Sequence, residues 1–143
     1  MLGWLGMVRL TSPDRPWPSA RAAYHRCMDF DQYTVALLVR RADAPAFTAE
    51  QEAELQDAHL AHLADLHAAG HLAAAGPLTD PEGFYRGLSI LTVGVDEARA
   101  LKEADPAVRA GKFAIVVMPW MVPGGAIRFQ PTEFPRSGAQ ARS

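Results

Sequence analysis

The sequence predicts an α+β domain built from one antiparallel sheet with two helices on one of its faces. Three observations support this prediction. Four apolar segments have the composition of strands, two segments have the caps and periodicity of helices, and they follow one another in the order β-α-β-β-α-β. Two split βαβ halves in this order form an antiparallel sheet with both helices on one face, which is the ferredoxin-like arrangement.

The first strand and the first helix carry the clearest signals. Residues 33–39 are β-branched or apolar almost without a break, which is typical of a central strand buried on both faces. Thr48 and Gln51 have the spacing of a capping box, in which each side chain bonds the backbone amide of the other residue. Helix one is therefore predicted to start at Thr48 and to run to about Ala69, with Gly70 as its C-terminal cap.

The other elements are shorter and are bounded by Gly, Pro or Asp. Asp96 is the predicted N-cap of the second helix, and Asp105-Pro106 interrupts that helix. Pro119 is predicted to end the last core strand, because proline cannot donate a ladder hydrogen bond. The predicted ranges are strand two at 71–75, closed by Gly76-Pro77, strand three at 88–93, helix two at 96–104, strand four at 113–118 and a candidate short strand at 126–129.

The two ends of the chain differ in composition from its centre. Residues 1–27 are rich in proline and show no sustained period, so we expect a poorly ordered N-terminal extension or an over-called start. The native core is then expected to begin at Met28. Residues 130–143 contain few apolar side chains, and we expect a disordered tail. The domain is therefore predicted over residues 28–129.

Length, charge and cysteine content exclude several classes of protein. A chain of 143 residues holds one domain and can bury a core without disulfides or a structural metal. The formal net charge of −2 provides no basic excess for nucleic acid or an anionic membrane. Cys27 is the single cysteine, which excludes an intramolecular disulfide and a Cys-rich zinc site. No apolar run approaches the ~20 residues of a membrane-spanning helix, and we expect a cytoplasmic protein.

The predicted fold leaves one face of the sheet without a helix. A bare apolar face of that size is unusual in a soluble monomer. A second copy of the chain is the simplest cover, so we expect a homodimer that packs through its sheets.

Short motifs follow one another through both halves of the core in a set order. They are Ala58-His59-Leu60-Ala61-His62-Leu63, Leu66, Gly70, His71-Leu72 and Ala75-Gly76-Pro77, and then Glu97-Ala98, Ala104-Asp105-Pro106, Gly111 and Trp120. Each motif alone is weak, but their order and spacing over residues 31–120 resemble the YCII-related family. Members of that family have a helix with a single His, then a Gly, then a short strand that ends in Ala-Gly-Pro.

The resemblance implies both a fold and a site. The fold is ferredoxin-like, of the dimeric α+β barrel type, and the family's proposed active site is a His–Asp pair that corresponds here to His59 and Asp105. The reaction suggested for the group is proton abstraction coupled to elimination or isomerisation of a small cyclic substrate. Histidine titrates near neutral pH, so it can move a proton without a metal or a cofactor. The turn at Gly76-Pro77 would border the pocket.

Each candidate residue also has an ordinary structural role. His59 is otherwise a partly exposed helix residue, and Asp105 otherwise caps the turn that starts at its proline neighbour. His62, one turn after His59, is an alternative active imidazole. Gly76-Pro77 is otherwise only a turn, and Trp120 otherwise packs in the core or at a dimer interface. The candidate substrate-binding residues are His62, Gly76, Pro77 and Trp120.

Metal and cofactor sites have little support in the sequence. His59 and His62 form an i,i+3 pair, and His67 and His71 follow, but neither Glu nor Cys stands at a ligand spacing. A solvated His-rich helix is the ordinary explanation, so we expect no metal. We find no dinucleotide or phosphate-loop motif and no nucleophile elbow, and we expect no cofactor.

Three functions are compatible with these residues. The leading hypothesis is a cofactor-independent enzyme in which His59 is the general acid/base and Asp105 orients it. The alternative is a non-catalytic dimeric protein that binds a small molecule on the same scaffold, as a sensor or accessory protein. The third is an interaction module without a ligand. The sequence does not name the substrate.

Overall fold

The computed structural model of the chain describes residues 8–10, 18–20 and 29–143. The first two ranges are short strands, β1 (Val8–Leu10) and β2 (Pro18–Ala20), which pair antiparallel. The rest of the predicted extension at 1–27, and Met28 itself, lie outside the described residues. The poor order of that extension and the start of the core at Met28 therefore stay predictions.

The remaining strands form a four-stranded antiparallel sheet in the order β4-β5-β3-β6. The first and third strands of the core lie in its middle, and the second and fourth lie at its edges, as in a ferredoxin-like fold. The predicted fold class is thereby confirmed. The elements are β3 (Phe30–Arg40), α1 (Ala49–Ala68), β4 (Leu72–Pro77), β5 (Tyr85–Leu91), α2 (Val95–Glu103), α3 (Pro106–Arg109), β6 (Phe113–Pro123) and α4 (Gly138–Ala141).

The hydrophobic core lies between the sheet and helices α1 and α2. Helix α1 contributes Leu63 and Leu66, helix α2 contributes Ala98, and the central strands contribute Ala36 and Leu91. Both helices meet one cluster of strand side chains, so both cover the same face of the sheet. Burying a leucine fully contributes roughly 1.5–3 kcal/mol, so these side chains hold α1 against the sheet and set the position of its other residues.

Helix α1 begins where its sequence predicts, with Thr48 as its N-cap, but its last residue is Ala68 and its C-cap is Ala69, so Gly70 is not the cap and follows it directly. The Thr48 hydroxyl accepts the Gln51 amide at 3.1 Å, and the Gln51 side-chain oxygen accepts the Thr48 amide at 2.9 Å, which completes the capping box. After the helix, Gly70 has a φ of 79°, a left-handed conformation that a glycine adopts without the clash a Cβ would cause.

Strand β6 continues well past Pro119, where we predicted the fourth strand to end. Pro119 pairs with Thr34, and the ladder with β3 runs from Phe113 to Pro123. The sheet order explains the difference, because β6 is an edge strand with a single neighbour, and an edge strand tolerates a proline that a central strand does not.

Other predicted boundaries also change. Helix α2 begins at Val95 with Gly94 as its N-cap, so Asp96 is not the cap but lies in the first turn, where its charge favours the positive helix end. Strand β4 includes Gly76-Pro77, and β5 begins three residues before its predicted start at 88. Residues 126–129 form no strand, because the chain turns back at Gly125, which has a φ of 75°.

The C-terminal tail at 130–143 is ordered against helix α1, which corrects the prediction of a disordered tail. Phe134 stacks on the His67 ring with centroids 4.2 Å apart, and Arg136 pairs with Asp65 at 2.8 Å. The Gly138 amide, at the start of α4, donates to Asp57 at 2.7 Å. The stacking of Phe134 on His67 and the ion pair of Arg136 with Asp65 therefore hold the tail against α1, although few residues of the tail are apolar.

The opposite face of the sheet carries exposed apolar side chains. Val116 and Met118 on β6 are 42% and 40% exposed. Trp120 lies on the same face, with its ring centroid 6.1 Å from that of Tyr33, and Phe129 meets the Tyr33 ring edge-on at a centroid distance of 5.4 Å. None of the helices in the described part of the chain is both long and apolar enough to cross a membrane.

Candidate active site

Two elements bring the candidate His–Asp pair together. His59 lies in the middle of α1, and Asp105 is the N-cap of the short helix α3, which packs against α1. Asp105 accepts the Ala107 amide at 3.0 Å, and Pro106 occupies the first position of α3, where its missing amide costs nothing. The local Asp-Pro sequence therefore fixes the carboxylate, and helix packing carries the imidazole to it.

The imidazole lies within hydrogen-bond distance of both carboxylate oxygens. His59 Nδ1 is 2.8 Å from Oδ2 of Asp105 and 3.0 Å from Oδ1. The Asp105 side chain is fully buried, and the His59 side chain is 12% exposed. An ionised carboxylate only accepts, so Nδ1 donates and carries the proton of the neutral ring. This leaves Nε2 with a free lone pair, and Nε2 makes no hydrogen bond to any residue that the structure describes.

Lys102 is a third member of this buried cluster and was not among the residues chosen from the sequence. Its Nζ lies 3.3 Å from Asp105 Oδ2, and the lysine side chain is fully buried. The i,i+3 spacing of Lys102 and Asp105 is the signal that identifies such a pair. It is a weak signal, because the same spacing on a solvated helix is common.

The buried charges shift the pKa values of both partners. Burial raises the pKa of the Asp105 carboxyl, but the hydrogen bond and charge of His59, the charge of Lys102 and the Ala107 amide outweigh it, and the net pKa lies below its usual value. Burial lowers the pKa of the Lys102 ammonium, and Asp105 offsets this only in part. The carboxylate is therefore held in its ionised form, which is the form that orients an imidazole.

A cavity of about 1100 Å³ opens beside His59. Helix α1 faces it with Glu52, Gln56, His59 and Leu63, at the three- and four-residue spacing of one helix face. Gly76 and Pro77 of β4 also line it, so the structure brings these two predicted residues to the same cavity as His59. Phe134 and Arg142 of the tail also line it, which the prediction of a disordered tail did not anticipate.

His62 and Trp120, which we predicted to bind substrate, do not line this cavity. His62 lies further around α1, and its Nε2 donates to the Leu101 carbonyl of α2 at 3.0 Å. Trp120 points to the other face of the sheet, because its partner in the ladder is Tyr33 and not a residue of the helix-covered face. His59 is therefore the imidazole at the cavity, and His62 holds α1 to α2.

The part of the chain that the structure describes contains no cluster of three or more His, Cys, Asp or Glu residues that could hold a metal ion. The two nitrogens of His67 lie 2.7 Å from the Leu72 carbonyl oxygen and 3.1 Å from that of Thr132. This histidine therefore contacts the backbone of β4 and of the tail.

Two of three comparisons relate the chain to known proteins. No curated protein sequence matches it. Among solved structures, a 5-chloro-2-hydroxyhydroquinone dehydrochlorinase from Burkholderia phenoliruptrix AC1100, in complex with 2,5-dihydroxybenzoquinone, is 25% identical, with a TM-score of 0.47 over 62% of this chain and 92% of that one. A dimeric protein of unknown function with a ferredoxin-like fold from Bacteroides fragilis NCTC 9343 is 14% identical, with a TM-score of 0.39 over 64% of this chain and 95% of that one. The model of the YCII-related domain matches residues 34–121, and the chain therefore belongs to the YCII-related domain family.

Proposed function

We propose that the protein is an enzyme in which His59 removes a proton from carbon in a small organic substrate. One observation carries this proposal: Nδ1 of His59 is bonded to the buried Asp105 carboxylate, while the same ring lines a cavity large enough for a ligand. A typical ligand pocket measures ~300–1000 Å³, so the cavity accommodates a small molecule and its water. Asp105 is the positioning residue, because it acts only through the imidazole.

The chemistry needs a basic Nε2 that becomes a stabilised imidazolium. Nε2 takes a proton from a carbon next to a carbonyl group, and the electron pair of the broken C–H bond forms the C=C bond of an enolate. The imidazolium that results is paired with Asp105 through Nδ1. In a conjugated substrate, the enolate takes the proton back from the imidazolium at another carbon, which is an isomerisation. Alternatively, it expels a leaving group from the carbon β to the carbonyl; the leaving group departs with the electron pair of its bond, and the imidazolium gives its proton to that group or to water, which completes an elimination.

The first step predicts exchange of carbon-bound hydrogen with solvent. We expect the 143-residue chain to accelerate deuterium incorporation from D₂O into one or more members of a panel of cyclic ketones, enones and butenolides, followed by NMR. We expect His59→Gln to lose this acceleration, because the amide keeps a polar group at the site but has no basic nitrogen. The readout does not require the natural leaving group, since only the first proton transfer is measured.

His62→Gln is the matched control for this experiment. It removes an imidazole from the same helix one turn away, but from a residue that donates to Leu101 and does not reach the cavity. We expect it to exchange hydrogen at the rate of the unmodified protein. If His59→Gln also kept full exchange as a folded protein, proton abstraction by His59 would be excluded. If ligands bind but none exchanges, the non-catalytic binding protein is the better description.

We also propose that the active form is a homodimer that packs through the open face of the sheet. The support is the row of exposed apolar side chains on β6 at Val116 and Met118. Val117, the residue between them in the sequence, faces the core, so no charged side chain separates Val116 from Met118 along the open face of β6. Apolar surface of this kind is buried in stable dimers more often than it is left in water.

A pair of methionines on the same strand tests this interface. Met118 and Met121 are 40% and 42% exposed, and because they are three residues apart on an unbroken ladder they point to opposite faces. We expect Met118→Lys to raise the dimer dissociation constant at least tenfold in sedimentation equilibrium, because it buries an unpaired charge in the interface. Met121→Lys is expected to leave it within twofold. Equal effects of both variants would contradict the proposed interface.

A further inference from the structure

The cavity beside His59 differs in charge from the rest of the molecule. The whole chain has a formal net charge of −2. Yet five cationic side chains line this one cavity, and Glu52 is the single acid among its described lining residues. The cations are Arg40, Arg41, Arg86, Lys112 and Arg142.

Two of these cations already have partners. Lys112 is bonded to Glu52, and Arg41 is bonded to Asp43 by two hydrogen bonds of 2.8 and 2.6 Å. Arg40, Arg86 and Arg142 form no ion pair with any residue that the structure describes. The positive charge at the cavity is therefore in excess, and it remains available to a ligand.

The backbone around Arg86 is built in a way that redirects its side chain. Leu38 on β3 pairs with Gly87, but the next residue, Val39, pairs with Tyr85, so Arg86 is the extra residue of a β-bulge in β5. A bulge re-aims the side chain at that position and often lies next to an active site. The Arg86 carbonyl accepts the Leu78 amide at 3.1 Å, which ties the bulge to the chain just after β4.

The nearby carboxylate of Asp80 forms no direct ion pair with Arg86. Asp80 lies close enough for the charge of Arg86 to help lower its pKa, but the main cause of that lowered pKa is the hydrogen bond from the Tyr85 amide. Its oxygens also accept the amides of Glu82 and Phe84. Asp80 therefore organises the turn that leads into β5 and leaves the guanidinium of Arg86 free to bind another anion.

We propose that the substrate of this site is an organic acid, and that Arg86, with Arg40 beside it on the neighbouring strand, binds its carboxylate. A guanidinium matches a carboxylate with two parallel N–H···O bonds, so it fixes orientation as well as charge. This inference rests on the proposed function in that it names the substrate class for the same cavity. With its carboxylate bound by Arg40 at the end of β3 and Arg86 at the start of β5, the substrate would direct its remaining atoms toward helix α1 and His59.

Benzoate and benzamide test the charge requirement, because they share a ring and differ in the charge of one group. In NMR titrations of the full chain, we expect benzoate to bind at least tenfold more tightly than benzamide. We expect Arg86→Gln to weaken benzoate binding about tenfold and to leave benzamide within twofold. Arg99→Gln, an exposed arginine on α2 away from the cavity, is the matched control and is expected to change neither.

The outcomes separate this inference from the proposed function. Equal affinity for the two probes, or benzoate binding that is unchanged in Arg86→Gln, overturns the inference even if neutral cyclic ketones exchange hydrogen through His59. Arginine-dependent benzoate binding in a protein that exchanges no substrate supports the anion site and counts against the catalytic proposal. His59→Gln is expected to keep the preference for benzoate, since the imidazole acts on the carbon and not on the carboxylate.

Discussion

Replacing Asp105 by asparagine is expected to lower the free energy of unfolding by about 3–5 kcal/mol, the usual cost of breaking a buried ion pair from one side. The side chain changes little in size but loses its charge, and this leaves the ammonium of Lys102 fully buried without a carboxylate. Asparagine also has an NH₂ group where aspartate has an acceptor. Each carboxylate oxygen of Asp105 accepts from a donor, because the Ala107 amide faces Oδ1 and Lys102 Nζ faces Oδ2. In either orientation of the asparagine amide, its NH₂ group would therefore face another donor.

The rescue variant tests this explanation directly. Lys102→Met combined with Asp105→Asn removes both charges, and replacing a whole buried ion pair by uncharged groups is often neutral or stabilising. The lowered pKa of Lys102 agrees with this expectation, because it means that burial destabilises the ammonium more than Asp105 stabilises it. We therefore expect the double variant to recover most of the loss in urea unfolding. Asp96→Asn, at an exposed acid in the first turn of α2, is the control and is expected to cost under about 0.5 kcal/mol.

The same pair predicts how the stability difference depends on pH. The folded-state pKa of Asp105 lies below its unfolded value of ~3.9, so the stability it contributes is fully present above about pH 4 and is lost as the pH falls through the folded-state value. The gap between the unmodified protein and Asp105→Asn should therefore be widest at neutral pH and shrink in acid. A gap that stays constant down to pH 3 would mean that the charge of Asp105 is not its cause.

The elements that were predicted well are those whose signal is local. The capping box at Thr48 and Gln51, the left-handed Gly70 and the Asp105-Pro106 cap depend on residues within one turn of each other, so the sequence contains all their determinants. The partnership of His59 with Asp105 is different, because 46 residues separate them. It was inferred from a family resemblance and not from spacing.

The predictions that differ from the structure depend on neighbours that a sequence does not display. Whether Pro119 ends a strand depends on whether β6 lies at an edge, which is a property of the sheet order. Whether Trp120 faces the cavity depends on its register with Tyr33 on another strand. The tail was expected to be disordered because its composition is polar, but its order comes from single contacts, such as that of Phe134 with His67.

The same double variant separates what Asp105 does for stability from what it does for His59. With Met at 102, the remaining donor to the asparagine is the Ala107 amide, which holds the side-chain oxygen at the position of Oδ1. The NH₂ group then occupies the position of Oδ2, 2.8 Å from His59 Nδ1, and donates to it. The neutral ring must carry its proton on Nε2 instead, so the nitrogen at the cavity loses the lone pair that would accept a substrate proton.

We therefore expect Lys102→Met/Asp105→Asn to be folded but to exchange substrate hydrogen about 10²–10⁴-fold more slowly, the range that general acid–base catalysis contributes. Long-range ¹H–¹⁵N correlations should show the proton of His59 move from Nδ1 to Nε2, a change that a purely structural role for Asp105 would not produce. Lys102→Met alone keeps the carboxylate bonded to Nδ1, so it should keep the original tautomer and most of the exchange rate. A stable double variant with full exchange would show that Asp105 supports the fold and that His59 does not need its orientation.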